Sequence, residues 1–373
     1  KYIGADDTTL DLFESQYQIP NGVSYNSYVI LDEKVAVMDT IDERKTDEWF
    51  ANLENVLNGR TVDYLVISHL EPDHAANIKR AADKFPQAQL VLSAKAKAML
   101  PQFFDIAHLE ERCLVVKEGD TLELGTHKLH FVMAPMVHWP EVMVEYEETE
   151  KILFSADGFG KFGALWTDEA RRYFINIVGK YGVQVQTLLK KAAALDIQTI
   201  CPLHGPVLKE NLGFYIGKYL TWSSYEPEED GVLVACASIH GNTKAAAEKM
   251  VEVLRANGAS KVVFMDLTRD DMAEAVADAF RYGKIILAAA SYDAGVFPPM
   301  EDFLHRLVHK NLQKRTFGLI ENGSWAPCAA RGMKGILEGM KEVNVCENVV
   351  SIKSTMKDTD VAKMEELAKE ILA

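Results

Sequence analysis

The stretch Tyr64-Leu-Val-Ile-Ser-His-Leu-Glu-Pro-Asp-His74 decides the fold prediction. Its apolar beginning is typical of a buried strand, and the residues that follow place two imidazoles and two carboxylates directly behind that strand. The strand and Pro72 hold this cluster more rigidly than an exposed polar loop would. Because the set mixes imidazole and carboxylate without thiolate, it suits iron, manganese or zinc. We interpret the segment as a metal site rather than as a solvated acidic loop.

The four ligands of this segment cannot all face one way in a strand, because alternation would turn His74 away from the others. We therefore predict a loop that leaves the strand and turns into a helix, with ligands on both sides of the turn for two adjacent metal ions. Completing two coordination spheres needs donors from elsewhere. Three further candidates each follow an apolar run, which favours their convergence at one sheet edge: His138, Asp157 and His204.

Composition limits the classes of function. At 373 residues the chain is long enough for two domains, and its formal charge of −15 disfavours nucleic-acid binding, which needs a basic surface. No apolar run approaches the roughly 20 residues of a membrane span, and no secretory signal is visible, so we expect a cytoplasmic protein without membrane attachment. The five cysteines are widely separated, which argues against a disulfide framework.

The order of predicted elements changes near residue 225. Before it, strands and helices alternate in the manner of a layered α/β sandwich, and after it five strands alternate with five helices, which predicts a doubly wound parallel sheet. The acidic stretch 221–230 separates the two patterns, and we predict domains at 1–225 and 226–373.

A phosphate-binding loop is predicted at Ser238-Ile-His-Gly-Asn-Thr243, between a strand and a helix. The chain lacks a Walker lysine pattern and a complete GxGxxG, so a mononucleotide fits better than ATP or a dinucleotide. Two later loops, 291–298 and 321–327, combine glycine, an aromatic residue and hydrogen-bonding groups, and these suit a flat ring. The alternative is that Ser238 and Thr243 only cap a helix.

The N-terminal ligand pattern resembles the metallo-β-lactamase-like αββα domain of flavodiiron proteins, and the resemblance covers nearly the whole chain. Zinc hydrolases of this fold carry histidine where this chain has Glu71, and the carboxylate shifts the preference toward iron. The resemblance implies a diiron centre that uses these seven residues: His69, Glu71 and His138 on the first iron, Asp73, His74 and His204 on the second, and Asp157 as the bridge.

The C-terminal pattern resembles flavodoxin, a doubly wound fold with a five-stranded parallel sheet, and implies bound FMN. In the N-terminal domain, flavodiiron proteins often have a histidine shortly after the bridging aspartate, where this chain has Phe162, and Tyr25, Trp139 and Tyr173 are candidates for the wall of the metal pocket. The resemblance implies an FMN site made of three loops: Ser238, Ile239, His240, Gly241, Asn242 and Thr243; Ser291, Tyr292, Asp293, Ala294 and Gly295; and Asn322, Gly323, Ser324 and Trp325.

Together the two sites imply reduction of dioxygen to water, of nitric oxide to nitrous oxide, or both, with FMN as the proximal electron donor. The resemblance also implies a head-to-tail homodimer, or a dimer of such dimers, and an external electron donor such as rubredoxin. Two alternatives stay open at this point. One is a zinc hydrolase with an accessory flavodoxin-like domain, and the other is an electron carrier without a metal.

Overall fold

The computed structural model describes residues 1–163 and 166–373, which form two compact units. The first unit comprises Lys1–Phe174 and Tyr181–Leu220, and the second comprises Ile175–Lys180 and Thr221–Ala373. In the described parts of the chain, no helix has the length and apolar character needed to cross a membrane.

Up to residue 225 the described strands are short and mostly buried. They are β1 (Ala5–Asp7), β2 (Leu12–Phe13), β3 (Tyr17–Gln18), β4 (Val23–Tyr25), β5 (Tyr28–Leu31), β6 (Val35–Met38), β7 (Tyr64–Ile67), β8 (Gln89–Ser93), β9 (Cys113–Val116), β10 (Thr121–Glu123), β11 (Lys128–Met133), β12 (Met143–Glu147), β13 (Ile152–Phe154) and β14 (Thr199–Cys201). The helices are α1 (Thr46–Leu57), α2 (Pro72–Ala75), α3 (Ile78–Lys84), α4 (Ala94–Met99), α5 (Leu109–Arg112), α6 (Trp166–Tyr173), α7 (Gly182–Ala192) and α8 (Leu212–Ser223).

Two five-stranded sheets form the body of the first unit, in the orders β5-β6-β7-β8-β9 and β10-β11-β12-β13-β14. Their facing sides form one apolar core. Met38 and Val66 of the first sheet lie in the same buried cluster as Phe131 and Phe154 of the second sheet. Helices α1 and α3 cover the outer side of the first sheet, and α7 covers the outer side of the second. This αββα sandwich confirms the predicted metallo-β-lactamase-like fold.

The second half of the chain alternates strands and helices as its sequence predicts, with one additional short strand. The strands are β15 (Glu229–Ala237), β16 (Val262–Asp266), β17 (Tyr282–Tyr292), β18 (Gly295–Val296), β19 (Arg315–Asn322) and β20 (Val343–Ile352). The helices are α9 (Asn242–Ala256), α10 (Met272–Arg281), α11 (Pro298–His309), α12 (Ala329–Leu337) and α13 (Asp358–Leu372).

The main strands of the second unit pair in the order β16-β15-β17-β19-β20, and every one of these pairs is parallel. This is the flavodoxin-like order, in which ligands bind at the carboxyl ends of the strands around the switch point. The extra strand β18 is an antiparallel hairpin partner of β17. The predicted five-stranded doubly wound sheet is confirmed, and the hairpin is an addition to it.

Most element boundaries agree with the sequence patterns to within a few residues. The sequence patterns predict helices over 94–103 and 328–341, and both are shorter in the structure. Helix α12 ends at Leu337, and α4 ends at Met99, after which the chain continues as a 3-10 turn, Leu100–Gln102. Pro101 lies in that turn and has no backbone N–H to donate to an α-helical hydrogen bond.

Candidate metal centre and nucleotide pocket

The predicted ligand segment turns as its sequence requires. Strand β7 ends at Ile67, and the chain reverses into α2, which begins with Pro72 at its first position and carries Asp73 and His74. Proline is favoured at this position because a helix leaves its first N–H groups unpaired. His69 precedes the turn and lies fully buried.

His69, Glu71, His138 and Asp157 form one cluster of ligand atoms, all within 4.8 Å of one another. The Nε2 atom of His138 lies 2.9 Å from Oε2 of Glu71 and 3.1 Å from Oδ2 of Asp157. The Nε2 atom of His69 lies 3.2 Å and 3.3 Å from the same two oxygens. Two imidazole nitrogens and two carboxylate oxygens therefore converge on one point.

Asp73, His74 and His204 form the second cluster. The Nε2 atom of His204 lies 3.1 Å from Oδ2 of Asp73, and that of His74 lies 3.4 Å from it. Asp157 connects the clusters, because its Oδ1 atom lies 3.1 Å from Nε2 of His74 while its Oδ2 atom faces the first cluster. The structure thus brings together all seven predicted ligand residues and turns one carboxylate oxygen of Asp157 toward each group.

The electrostatics of this buried site favour the protonated imidazole of His138 and the ionised carboxylate of Asp157. Burial by itself would lower the pKa of His138, but its hydrogen bonds to the carboxylates of Asp157 and Glu71 outweigh burial and raise that pKa to about 9. Burial would raise the pKa of Asp157, yet the neighbouring imidazoles, with His74 first among them, hold it well below its usual range. A divalent cation would take over the role of the imidazole protons in neutralising these carboxylates.

Several ligand atoms lack a hydrogen-bond partner within residues 1–163 and 166–373, although they are buried. The buried atoms without a partner are both side-chain oxygens of Asp73, both ring nitrogens of His74, Oδ1 of Asp157 and Nε2 of His204. Buried polar atoms without partners cost free energy, so native proteins seldom keep them without a function. The convergence of the carboxylate oxygens with Nε2 of His74 and Nε2 of His204 fits metal ions, which would accept these lone pairs.

Hydrogen bonds at the Nδ1 atoms orient the imidazoles of His69 and His204. Oε1 of Glu141 lies 2.9 Å from Nδ1 of His69 and also accepts a hydrogen bond from the Leu70 backbone N–H. Nδ1 of His204 donates to the Ser24 carbonyl oxygen over 2.7 Å. In each ring the Nε2 atom is left to face the cluster, as metal-binding histidines require. The sequence reasoning did not identify Glu141, although it lies just after His138 and between two buried apolar segments.

Aromatic rings enclose the two clusters. Tyr25 and Tyr173 are fully buried, and their ring centres lie 5.9 Å and 5.7 Å from that of His204. Trp139 stands perpendicular to His69 at 5.2 Å. Phe162 packs against Tyr173, so the position at which the family resemblance implies a histidine carries an apolar ring. The wall around the ligands is therefore mostly apolar.

Some other histidines lie away from the two clusters. His305 and His309 stack on the exposed side of α11, with ring centres 6.4 Å apart. His127 pairs with Asp32 at 2.7 Å through Nδ1.

A cavity of about 650 Å³ opens at the carboxyl ends of the strands of the second unit. Its wall contains most of the predicted cofactor-binding residues from all three loops: Ile239, His240, Asn242, Thr243, Ser291, Tyr292, Asp293, Ala294, Asn322, Gly323, Ser324 and Trp325. The wall also contains residues that the sequence reasoning did not identify: Ala290, Ala326, Cys328, Arg331 and Ser354.

Three of the predicted residues shape the loops around this cavity. Gly241 precedes α9 with a φ of +92°, and its N–H donates to Oγ of Ser238, which closes the turn. Gly295 pairs with Tyr292 in the hairpin that Asp293 closes. Among the wall residues, some also brace the loops: Oγ of Ser291 accepts from two backbone N–H groups at the start of α12, and the side chain of Asn322 exchanges two hydrogen bonds with the backbone of Ser354.

The chain is similar to known proteins in both sequence and structure. The family described as ODP family beta lactamase matches residues 23–205. A protein named nitric oxide reductase from Moorella thermoacetica is 26% identical and covers 100% of this chain and 96% of its own length. An anaerobic nitric oxide reductase flavorubredoxin from Vibrio vulnificus is 27% identical over 84% of this chain, which spans 66% of that relative.

The solved structure of rubredoxin oxygen:oxidoreductase from Desulfovibrio gigas superposes with a TM-score of 0.92 at 25% identity. The match covers 99% of this chain and 95% of that one, so both units have counterparts in one relative. The shared two-part fold, the match of the ODP family and the sequence similarity along the whole chain agree. The chain belongs to the flavodiiron protein family.

Proposed function

We propose that this protein reduces dioxygen to water, nitric oxide to nitrous oxide, or both, at a non-haem diiron centre that FMN supplies with electrons. The observation that carries the proposal is the pair of ligand clusters joined by Asp157. Both ligand clusters lie within residues 23–205, which match the ODP family, and the cavity lies in the second unit. We assign residues 1–225 to the diiron part and 226–373 to the FMN part.

We assign the ligands by cluster. Metal ions held here would supply open coordination positions and electrons for a small gas, and FMN would replace those electrons. Iron is preferred because Glu71 adds a hard anionic oxygen where a zinc site of this fold would have imidazole. The first ion would be bound by His69, Glu71 and His138, the second by Asp73, His74 and His204, and Asp157 would bridge them.

The residues around the ligands have separate tasks. Glu141 holds the Nδ1 proton of His69, and the Ser24 carbonyl holds that of His204, so both rings keep one orientation and one tautomer. Tyr25, Tyr173 and Trp139 keep bulk water away from the ligands. A dry, shaped site of this kind admits a small apolar gas and strengthens electrostatic interactions within it.

We propose that the cavity of the second unit binds FMN. Asn242 and Thr243 begin the 15-residue helix α9, whose first N–H groups and positive end suit a phosphate dianion. Tyr292 and Trp325 stand in the other two loops and offer flat faces to an isoalloxazine ring. These features support FMN better than a dinucleotide, which requires a longer groove.

A head-to-tail homodimer and an external donor such as rubredoxin complete the proposal. Trp325 is 90% exposed and Tyr292 is 45% exposed at the rim of the cavity. Tyrosine and tryptophan are enriched at protein–protein interfaces, so this rim is a suitable surface for contact with a second subunit. The family match supports a donor of the rubredoxin type, since the Desulfovibrio gigas protein carries that donor in its name.

The test begins with anaerobic purification and analysis of bound iron, zinc and flavin. We expect about two iron atoms and about one FMN per chain, as two ligand clusters and one cavity require. The reduced protein is then exposed separately to dioxygen and to nitric oxide, while flavin reoxidation and gas consumption are recorded. A strong preference for one gas identifies the physiological substrate.

A matched pair of variants links the activity to the clusters. Asp157→Asn should lose most of the iron and at least about 90% of the gas reduction, since removal of a ligand typically weakens a metal site by orders of magnitude. The His305→Ala/His309→Ala variant changes an exposed pair and should keep both. Stoichiometric zinc with hydrolase activity, or FMN without any metal, would overturn the proposal.

A further inference from the structure

Glu145 is a buried acid that the proposed chemistry does not use. It lies in the middle of β12, where Phe131 and Phe154 are its cross-strand neighbours, and its side chain is fully buried. Within the described ranges 1–163 and 166–373, its Oε1 atom has no hydrogen-bond partner. Burial, together with the charge of Asp39, raises the pKa of Glu145 well above its usual range. A carboxyl group among phenylalanines costs free energy, so an apolar residue would give a more stable core.

The other oxygen of Glu145 makes one specific contact. Its Oε2 atom accepts a hydrogen bond of 2.9 Å from Oγ of Ser68, the residue directly before His69. Met143, two residues earlier on β12, donates its N–H to the Ser68 carbonyl oxygen. Glu141 then holds His69 and the N–H of Leu70. Ser68 is therefore attached to β12 itself, and His69 and Leu70 are attached to Glu141, which lies two residues before that strand.

These contacts cross from one sheet to the other. The ligand loop leaves β7 in the first sheet, whereas β12 lies in the second sheet, between β11, which precedes His138, and β13, which precedes Asp157. The first cluster takes ligands from both sheets, and metal–ligand distances tolerate deviations of only about 0.2 Å. The spacing between the sheets at this point thus determines whether the ligands fit one ion.

We infer that Glu145 is a positioning residue, which ties the loop bearing His69 to the sheet bearing His138 and Asp157 and thereby sets the ligand spacing of the first metal ion. The inference rests on the proposed metal centre and adds a residue to it. Glu145 touches neither substrate nor metal, and it acts through Ser68 and His69. An acid is kept in an apolar core because its hydrogen bond fixes the loop.

The test compares Glu145→Leu with Glu145→Gln in the full-length protein. Leucine fills the site without an acceptor, so the metal-free protein should melt at the same or a higher temperature, while its affinity for Fe²⁺ should fall about 10-fold to 100-fold. Glutamine keeps an acceptor for Ser68 and should stay close to the wild-type affinity. Anaerobic competition between the protein and a coloured Fe²⁺ chelator measures the affinity, and thermal unfolding of the metal-free protein measures the stability.

Glu147 provides the matched control. It lies on the same strand face and is equally buried, but its carboxylate accepts from the N–H groups of Thr149 and Glu150 in the following turn. Glu147→Leu should therefore lower the melting temperature and leave the Fe²⁺ affinity unchanged. A second variant, Ser68→Ala, removes the other partner of the Glu145 hydrogen bond and should weaken Fe²⁺ binding about as much as Glu145→Leu does.

Each result decides between the claims. If the wild type binds no iron, the proposed function fails together with this inference. If the wild type binds iron and Glu145→Leu and Ser68→Ala bind it equally well, only the inference is overturned. Equal losses of affinity in the leucine and glutamine variants, or in Glu145→Leu and Glu147→Leu, would also contradict it, because the hydrogen bond to Ser68 would then not be the cause.

Discussion

Glu71 is the residue that most directly sets the chemistry of the site. Its Oε2 atom lies 2.9 Å from Nε2 of His138 and 3.2 Å from that of His69, where it adds a negative charge to the first cluster. Two nearby imidazoles hold the pKa of Glu71 below its usual range in spite of burial, so the group stays ionised at neutral pH. A hard anionic oxygen favours iron over zinc at this position.

Replacing Glu71 with histidine should therefore change the metal. We expect Glu71→His to lower the iron-to-zinc ratio of the purified protein by about tenfold or more, because the new imidazole restores the ligand set that zinc accepts. The measurement is elemental analysis after growth with both metals in equal supply. Glu150→His, on an exposed turn, serves as the control. An unchanged ratio in Glu71→His would mean that the oxygen ligand does not select iron.

At the scale of the elements, Arg315 joins the end of α10 to the start of β19 in the second unit. It begins β19, is 2% exposed, and donates to the carbonyl oxygens of five residues. Two of these, Ala279 and Phe280, lie in the last turn of α10, where carbonyl groups lack helical partners. Burial lowers the pKa of Arg315 to about 10, and the charge remains at neutral pH. The guanidinium thus joins a helix end to a strand beginning.

Removing this group should destabilise the second unit. We expect Arg315→Met to cost about 3 kcal/mol of unfolding free energy, because several buried carbonyl groups lose their donor at once. The loss of unfolding free energy is measured by urea unfolding, which is monitored through flavin release and circular dichroism. Arg306→Met, which breaks an exposed pair with Asp302 on α11, should cost less than about 0.5 kcal/mol. Similar costs for the two variants would contradict the bracing role of Arg315.

At the scale of the whole molecule, the proposed head-to-tail dimer requires the FMN of one subunit to serve the metal ions of the other. A closed two-fold dimer of this kind contains the same contact twice. A subunit with a damaged metal centre and a subunit with a damaged FMN site can then complement each other. The two working sites lie on different chains and still face one another.

Mixed dimers test this arrangement. Asp157→Asn and Thr243→Ala/Asn242→Ala should each be almost inactive alone, whereas co-expression in equal amounts should restore roughly a quarter of the wild-type rate, since about half of the dimers are mixed and each has one working pair. Gas consumption per chain gives the rate, and differently tagged subunits give the share of mixed dimers. Restored activity is not expected if each chain reduces its own metal centre.

The sequence alone determined the types of ligand, their order and the elements that carry them. The segment from Tyr64 to His74 combines a strand pattern with four metal-binding side chains, and these properties depend on neighbouring residues only. The alternation after residue 231 likewise predicted the parallel sheet, because each strand and helix has its own periodicity. The prediction of a phosphate-binding loop at residues 238–243 rests on their place between a strand and a helix.

The tertiary structure alone decided the contacts that give these residues their geometry. Asp157 divides its two oxygens between clusters that come from distant segments, and Glu141 reaches His69 across 72 positions of the chain. In β12 alternation puts Met143, Glu145 and Glu147 on one face, but the pattern does not show that this face is as buried as the other. Such facts depend on how two sheets pack against each other, and no local pattern records that packing, because the partners meet only after the chain has folded.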